Sequence, residues 1–302
     1  MSKSVLTGIS GTNPLEFMAA LGVLRLVQRT NSNAALGFLS DGSFHPFIEG
    51  IEGVQLSTLV AEDAAAPLID KAWWLRYEKQ EKKGTKLVAD LKAPPSVFRS
   101  FLRACVDSWS HGDPEAAAYA AAFGTDVAVD GKGNTKPTAF HFTAANQQFL
   151  DQVDSIRGWV TSEWASKSLL DGPDLRSGSN LRWDPAAERN WALMANNPVD
   201  SGTSVNAPLE WLAFSAMPLF PTFPRGSRIC TTGVRQRSDK MEMIWPLWST
   251  AASLETVRSI VGMNWTGLAS ERRVRGVFAV CSSAIRRTSQ GFGNFSPASV
   301  ST

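Results

Sequence analysis

Residues 225–302 of this chain hold ten Arg and one Lys against only four Asp and Glu. Arg presents a planar fork of donors that fits phosphate oxygens and the edges of guanine. Because few carboxylates lie nearby in the sequence, the pattern predicts a surface that binds a polyanion such as a nucleic acid. The alternative is a solvated surface on which scattered ion pairs neutralise the arginines.

Three groups of side chains are candidates for contacts to phosphates and bases. The C-terminal group consists of Arg225, Arg228, Arg235, Arg237, Lys240, Arg272, Arg273, Arg275, Arg286 and Arg287, with Phe292 and Asn294 in a segment that glycines flank. The second group consists of Lys79, Lys82, Lys83 and Lys86, which follow Trp73. Lysine neutralises phosphate, and the indole of Trp73 suits base stacking. Gln147, near a predicted helix start, suits contacts to adenine. Solvated helix ends, capping networks and aromatic packing are the structural alternatives.

Linear motifs of catalysis and metal binding are absent from the sequence. His45, His111 and His141 have no metal-ligand spacing, and there is no Cys-x-x-Cys, phosphate-binding P-loop or Gly-x-Ser-x-Gly elbow. We therefore expect a protein without catalytic residues, metal or cofactor. The enzymatic alternative is a cation held by Asp126 and Asp130 for nucleic-acid cleavage.

The best-signalled element is a helix near the N-terminus that follows a loop with two glycines. Asn13 is a good N-cap, Pro14 suits the first helical position, and Glu16 completes a pattern typical of a capping box. Apolar residues then recur at spacings of three and four over residues 14–29, and Arg25 falls off that apolar face. The helix start predicts an anion site, with an ordinary capped core helix as the alternative.

The remaining pattern predicts an α+β fold with a helix-rich N-terminal half and a strand- and loop-rich C-terminal half. We expect strands on both sides of an Asp41-Gly42 turn, mostly helix over 55–80, and a helix that Thr143 caps. Residues 1–170 are predicted to form a mainly helical region with an initial strand–helix unit, and 171–302 an arginine-rich α+β region. The alternative is a single domain.

Composition is typical of a globular protein outside membranes. Hydrophobic residues make up 43% of the chain and charged residues 19%, and no apolar run reaches the length of a membrane span. Three widely spaced cysteines and no secretory signal predict a cytoplasmic location. The eleven tryptophans are expected in the core, at subunit contacts or as stacking platforms for bases.

Five short segments are spread along the chain. The first segment contains a Pro-Leu-x-x-x-x-Ala-Leu-Gly-x-Leu-Arg-Leu run. The segments are 11–27, 140–150, 181–185, 218–221 and 291–297. In this consistent order the segments resemble proteins encoded beside type I-G (formerly I-U) CRISPR interference genes. They are short and spread over most of the chain, and none of them is a chemical signature.

The resemblance implies a large-subunit-type or accessory component of the RNA-guided surveillance (Cascade) complex. Its expected partners are the CRISPR guide RNA, the target DNA, the other subunits of the complex and a recruited helicase-nuclease that performs cleavage. It also implies a role in reading the motif beside the target. The alternative is a protein-only scaffold or regulatory component of a bacterial defence assembly, in which a tryptophan-rich surface makes the contacts and the arginines pair with an acidic partner.

Overall fold

Apolar side chains lie on nearly every side of the first helix, α1 (Pro14–Gln28), so this helix runs through the interior. The computed structural model describes all residues except 1, 82–83, 145–146, 188–202, 238–239, 268, 275 and 289–290. The other helices are α2 (Gly53–Ala65), α3 (Pro95–Ser110), α4 (Pro114–Phe123), α5 (Phe149–Arg157), α6 (Ser162–Ser166), α7 (Ala207–Ser215), α8 (Leu254–Gly262) and α9 (Ala269–Val274).

The strands form two antiparallel sheets and four two-stranded ribbons. The first sheet has the order β1-β3-β2 and contains β1 (Lys3–Val5), β2 (Ala35–Phe38) and β3 (Pro46–Glu49). The second has the order β12-β13-β14-β15 and contains β12 (Val234–Arg237), β13 (Lys240–Trp248), β14 (Val277–Arg287) and β15 (Gly293–Phe295), with β16 (Ser299–Ser301) also paired to β14. The ribbons are β4 (Arg76–Glu81) with β5 (Gly84–Ala89), β6 (Gly124–Val129) with β7 (Thr135–Pro137), β8 (Arg176–Ser177) with β9 (Ser204–Val205), and β10 (Thr222–Arg225) with β11 (Arg228–Thr231).

The fold is therefore α+β, as the sequence predicts, and the largest sheet is built entirely from the C-terminal part of the chain. The two predicted regions nevertheless share one apolar core, whose buried residues run from Leu6 to Phe295. Two indoles of β13 connect that sheet to the N-terminal part. Trp245 donates to the carbonyl of Gly11, and Trp248 donates to that of Leu36, each at 2.7 Å.

Most tryptophans fill this core. Of the ten that the structure describes, eight are buried, and only Trp109 and Trp159 are exposed. Of the locations expected for the tryptophans, the core is therefore confirmed for those eight, because their rings are already covered by this chain.

Helices α1 and α7 approach so closely that only glycine fits between them. A Cβ atom added to Gly22 would lie 1.9 Å from the carbonyl oxygen of Leu212. One turn further along α1, Arg25 is buried and forms a bidentate pair with Glu115 at 2.8 Å, and it also donates to the carbonyl of Ser215. The prediction that Arg25 lies off the packed face is wrong, because partners from α4 and α7 satisfy its charge inside the protein.

The start of α1 is an ordinary capped core helix, not a free anion site. Asn13 Oδ1 accepts from the N–H of Leu15 at 2.9 Å, and Glu16 Oε2 accepts from the N–H of Ser10 at 2.6 Å. The protein thus supplies its own carboxylate at this position. Burial, and to a smaller extent the charge of Asp184, raises the pKa of Glu16 to about 7.

Two further predictions about local structure fail. Residues 55–80 contain helix α2, but strand β4 begins at Arg76, where buried Tyr77 alternates with exposed neighbours. The helix expected after Thr143 begins later, at Phe149. β4 pairs with the next strand, β5, in a hairpin. The start of α5 depends on a distant partner, because the carboxylate of Asp90, 59 residues away in the sequence, accepts from its first N–H.

Replacing Gly22 by Ala is expected to lower the free energy of unfolding by about 3 kcal/mol, because the added methyl group forces two helix backbones apart. Urea denaturation monitored by circular dichroism measures the change. The matched control is Gly262→Ala at the end of α8, where no described atom lies within 4 Å of the added Cβ. The control should leave stability unchanged or slightly raised; equal losses in both variants would contradict the close-packing argument.

Stability should also decline as the pH rises toward 8, because of Glu210. Burial raises the pKa of this carboxyl to about 8, against about 4.3 for an unfolded glutamate. Between these values the folded state holds a proton that the unfolded state has lost, so rising pH favours unfolding. Glu210→Gln should remove much of this decline. Urea titrations at pH 5 and pH 8 test it: a difference between variant and wild type that is equal at both pH values would refute the assignment.

Candidate nucleic-acid interface

Three cavities share lining residues with one another, and we call them together the basic groove. The first, of about 800 Å³, lies between the β10–β11 ribbon, β12 and the segment after α8. The second, of about 310 Å³, shares Arg228 and Gln236 with the first. The third, of about 810 Å³, lies beside β4 and shares Lys92 with the second.

Cations outnumber carboxylates among the residues that line the basic groove. The cations are Lys79, Lys92, Lys132, Lys136, Arg225, Arg228, Arg235 and Arg287. The carboxylates are Glu78, Asp90 and Asp130. Asp130 already accepts from the backbone N–H groups of Lys132 and Asn134, and Asp90 is likewise occupied by protein donors. The groove consequently carries an excess of positive charge that suits a polyanion.

The β10–β11 ribbon places aromatic and cationic side chains on one face. Arg225 and Arg228 are directly opposite in the antiparallel register, on both sides of the turn at Gly226, whose φ is 60°. Phe223 precedes Arg225 by two residues, so it shares that face, and it is 52% exposed. Its ring is available to stack on a base beside two guanidinium groups.

Backbone carbonyls orient several of the cations. Lys136 Nζ donates to the carbonyl of Ser227 at 2.8 Å, and Arg287 donates to the carbonyls of Ala139 and His141 at 3.4 and 3.3 Å. Burial lowers the pKa of Lys92, and the charges of Arg287 and Lys132 add to the shift against the opposing effect of Asp90 and Asp130. This crowding of like charge would be relieved by a bound phosphate.

Asp90 lines the third cavity of the groove and forms a hydrogen bond to the first residue of α5. Its Oδ1 accepts from the N–H of Phe149 at 3.1 Å, from the N–H of Leu91 at 2.9 Å, and from His141 Nε2 at 3.2 Å. Burial raises the pKa of Asp90, but these hydrogen bonds outweigh that effect and hold the pKa below its usual range. Asp90 is therefore ionised at neutral pH, and its Oδ1 accepts all three of these hydrogen bonds.

Six predicted site residues come together in the basic groove, although they are far apart in the sequence. They are Lys79, Gln147, Arg225, Arg228, Arg235 and Arg287. Arg235 is partly neutralised there, because it pairs with Glu242 across the β12–β13 register. Lys79 faces Lys86 across the β4–β5 ribbon, an unfavourable pairing of like charges that a polyanion would offset.

Other predicted residues lie elsewhere. Trp73 is buried and stacks on Tyr119 with 4.0 Å between ring centroids, so its prediction as a base-stacking surface is wrong. Asn294 is also buried, and its side-chain amide donates to the carbonyl of Phe295, so it is not a surface contact. The guanidinium of Arg182 covers the ring of Phe292, 4.4 Å from the centroid.

The remaining predicted cations are outside the lining of the groove or outside the described residues. Arg272 and Arg273 lie on α9, and Arg272 donates to Ser301 Oγ at 3.0 Å. Lys86, Lys240 and Arg286 lie on strands β5, β13 and β14. Lys82, Lys83 and Arg275 fall outside the described residues, and Arg237 is described by its backbone position on β12.

Sequence reasoning missed Lys92, Lys132, Lys136 and Phe223. The lysines are isolated from one another in the sequence and become neighbours of the arginines only when β7 lies beside β11. Phe223 could have been predicted from the sequence. In a strand, residues two positions apart point to the same face, so Phe223 and Arg225 lie on one face.

The carboxylates considered for a cation have other partners. Asp126 accepts from Arg99 Nε at 2.8 Å, and Asp130 accepts from its own turn. Within the described part of the chain, no group of three or more His, Cys, Asp or Glu is placed to hold a metal ion.

The described helices include none with the length and apolar character needed to span a bilayer. In comparisons with known proteins, the sequence matches no family model and no curated protein.

Replacing Asp90 by Ala is expected to lower the free energy of unfolding by about 3 kcal/mol or more, because His141 and two backbone N–H groups lose a buried charged acceptor. Chemical denaturation measures the loss. Asp107→Ala, at an exposed position on α3, is the matched control and should change stability by less than about 0.5 kcal/mol. A loss no larger than that of the control would contradict the role of Asp90 as a buried acceptor.

Proposed function

We propose that this chain is a non-catalytic nucleic-acid-binding subunit of a CRISPR RNA-guided antiviral interference complex. The observation that carries the proposal is the basic groove, which eight cations and three carboxylates line, with one of the cations, Arg235, paired to Glu242. The assignment to an interference complex rests on the resemblance of the scattered sequence segments to type I-G components.

In this proposal the cations contact phosphates and Phe223 stacks on a base. Connected cavities with one exposed aromatic ring suit a single strand better than a rigid duplex, because unpaired bases can stack individually. The bound strand would be guide RNA or a single-stranded part of the target DNA. Reading of the target-adjacent motif, contacts with the other subunits and recruitment of a helicase-nuclease in the cytoplasm complete the proposed role.

A protein-only scaffold remains the second candidate, and one surface favours it. Val106 and Trp109 on α3 are 56% and 57% exposed, which is unusual for large apolar side chains on a monomer and typical of protein contact sites. This surface belongs to α3 and has no residue in common with the lining of the basic groove. The two candidates therefore differ in which variants abolish function.

The test is binding of labelled single-stranded RNA and DNA at several salt concentrations, with the double variant Arg228→Ala, Lys136→Ala. Loss of two phosphate contacts should weaken binding about tenfold and reduce the slope of log K against log salt by about 1.4 to 1.8. Fluorescence anisotropy with the purified chain measures both quantities.

The matched control is Arg272→Ala, Arg273→Ala, which removes the same charge from α9 outside the groove lining. Equal losses of affinity in the two double variants would show a general effect of net charge and contradict the groove. If neither nucleic acid binds, and Trp109→Ala abolishes co-purification with neighbouring subunits, the scaffold is the better account.

A further inference from the structure

Helix α3 carries an apolar stripe that the described part of the chain leaves uncovered. Val106 and Trp109 are each more than half exposed, and Leu102 is partly buried. Leu102 precedes Val106 by four residues and Trp109 follows it by three, so the three side chains lie in one row along the helix. Large apolar side chains that are exposed together in this way are typical of a contact surface. We call this row the α3 stripe.

A cavity of about 440 Å³ lies along the α3 stripe. All of its described lining residues belong to α3, and they are Arg99, Leu102, Arg103, Val106, Asp107 and Ser110. No other element of the described chain supplies a second wall, so the cavity is open along the helix. A segment of a partner that lies along α3 would complete it, as when an apolar helix face packs against another helix.

Two charges of opposite sign flank the α3 stripe. Arg103 lies one turn before Asp107, and both side chains are exposed. Arg99 is paired with Asp126, but Arg103 forms no ion pair with any described residue. The carboxylate of Asp107 lies 3.8 Å from Nδ1 of His111. The surface therefore presents a cation and then an anion along the helix, and it suits a partner helix that carries them in the opposite order.

An antiparallel copy of α3 has this opposite order. With Val106 near a two-fold axis, Leu102 of each copy lies opposite Trp109 of the other. The same axis brings Arg103 of each copy opposite Asp107 of the other, and both charges are on one side of the stripe. These pairings place the axis at the same point of the helix to within one residue, about 1.5 Å. The α3 surface is therefore self-complementary, as a two-fold interface requires.

We propose that two copies of this chain associate through α3, with the two helices antiparallel and Arg103 of each copy paired with Asp107 of the other. The inference goes beyond the proposed function and does not rest on it, because no residue of α3 lines the basic groove. It assigns the exposed surface of α3 to a second copy of this chain and not to a different subunit.

The test is the dissociation constant of the dimer, measured by analytical ultracentrifugation of the full chain over a range of concentrations. Arg103→Glu and Asp107→Arg each bring like charges together at both symmetric positions. Each variant alone should therefore dimerise about tenfold more weakly than wild type. Trp109→Ala removes the largest apolar contact and should weaken the dimer at least about tenfold. Circular dichroism checks that these variants, all at exposed positions, remain folded.

An equimolar mixture of the Arg103→Glu and Asp107→Arg variants is the decisive sample. In a mixed dimer both pairs again consist of opposite charges, so the mixture should dimerise about as tightly as wild type although neither variant does so alone. An ion pair within one helix cannot give this result, because mixing changes only the contacts between chains.

The matched control is Arg258→Glu, which makes the same change of charge at an exposed position on α8 and should dimerise like wild type. A wild-type chain that stays monomeric at every concentration would overturn the proposal. A dimer that all the α3 variants retain, or a mixture no tighter than its two components, would overturn it as well. If a monomeric wild type co-purifies with a neighbouring subunit and Trp109→Ala abolishes this, that subunit covers α3 instead. Titrations with nucleic acid decide the proposed function separately.

Discussion

The contact between α1 and α7 at Gly22 is the constraint on which the rest of the structure depends. Since the two backbones nearly touch, Arg25 reaches the carbonyl of Ser215 at the end of α7 and the carboxylate of Glu115 on α4. The chain leaves α7 through a short 3-10 turn, Met217–Leu219, and enters β10 directly. Helix packing in the core thus positions the β10–β11 ribbon, which carries Arg225 and Arg228. Since this ribbon lines the groove, the shape of the groove depends on the same packing.

The segments 140–150, 181–185, 218–221 and 291–297 are far apart in the sequence but contact one another in the core. Phe140 is at their centre: its carbonyl accepts from Trp183 Nε1 at 2.9 Å, and its ring lies 5.2 Å from that of Phe220 and 6.1 Å from that of Phe295. Gly293 donates its N–H to the carbonyl of Phe142 at 3.0 Å. These segments therefore form a packed framework, which includes the stretch that contains His141.

Local signals in the sequence were sufficient where an element is stabilised by its own residues. Asn13 caps α1 as its position predicts, and the turn at Asp41 joins β2 to β3. The local signals failed where the residue that stabilises an element is distant in the sequence. Asp90 accepts from the first N–H of α5 across 59 residues, so no pattern near Phe149 marks that start. The groove follows the same rule: its arginines were predictable from composition, but the lysines of β7 and its turn join them only through tertiary packing.

The partners of the basic side chains divide the cations into those paired with a carboxylate and those held by backbone carbonyls. Arg25 is paired with a carboxylate, which neutralises it and makes its burial tolerable. Lys136 and Arg287, in contrast, donate to backbone carbonyls, which orient a cation without cancelling its charge. A side chain held in this way has already lost part of its conformational entropy in the unbound protein, and it keeps its full charge. An ordered cation without a carboxylate partner lowers the stability of the fold. A bound anion would offset this cost, because it would neutralise the charge.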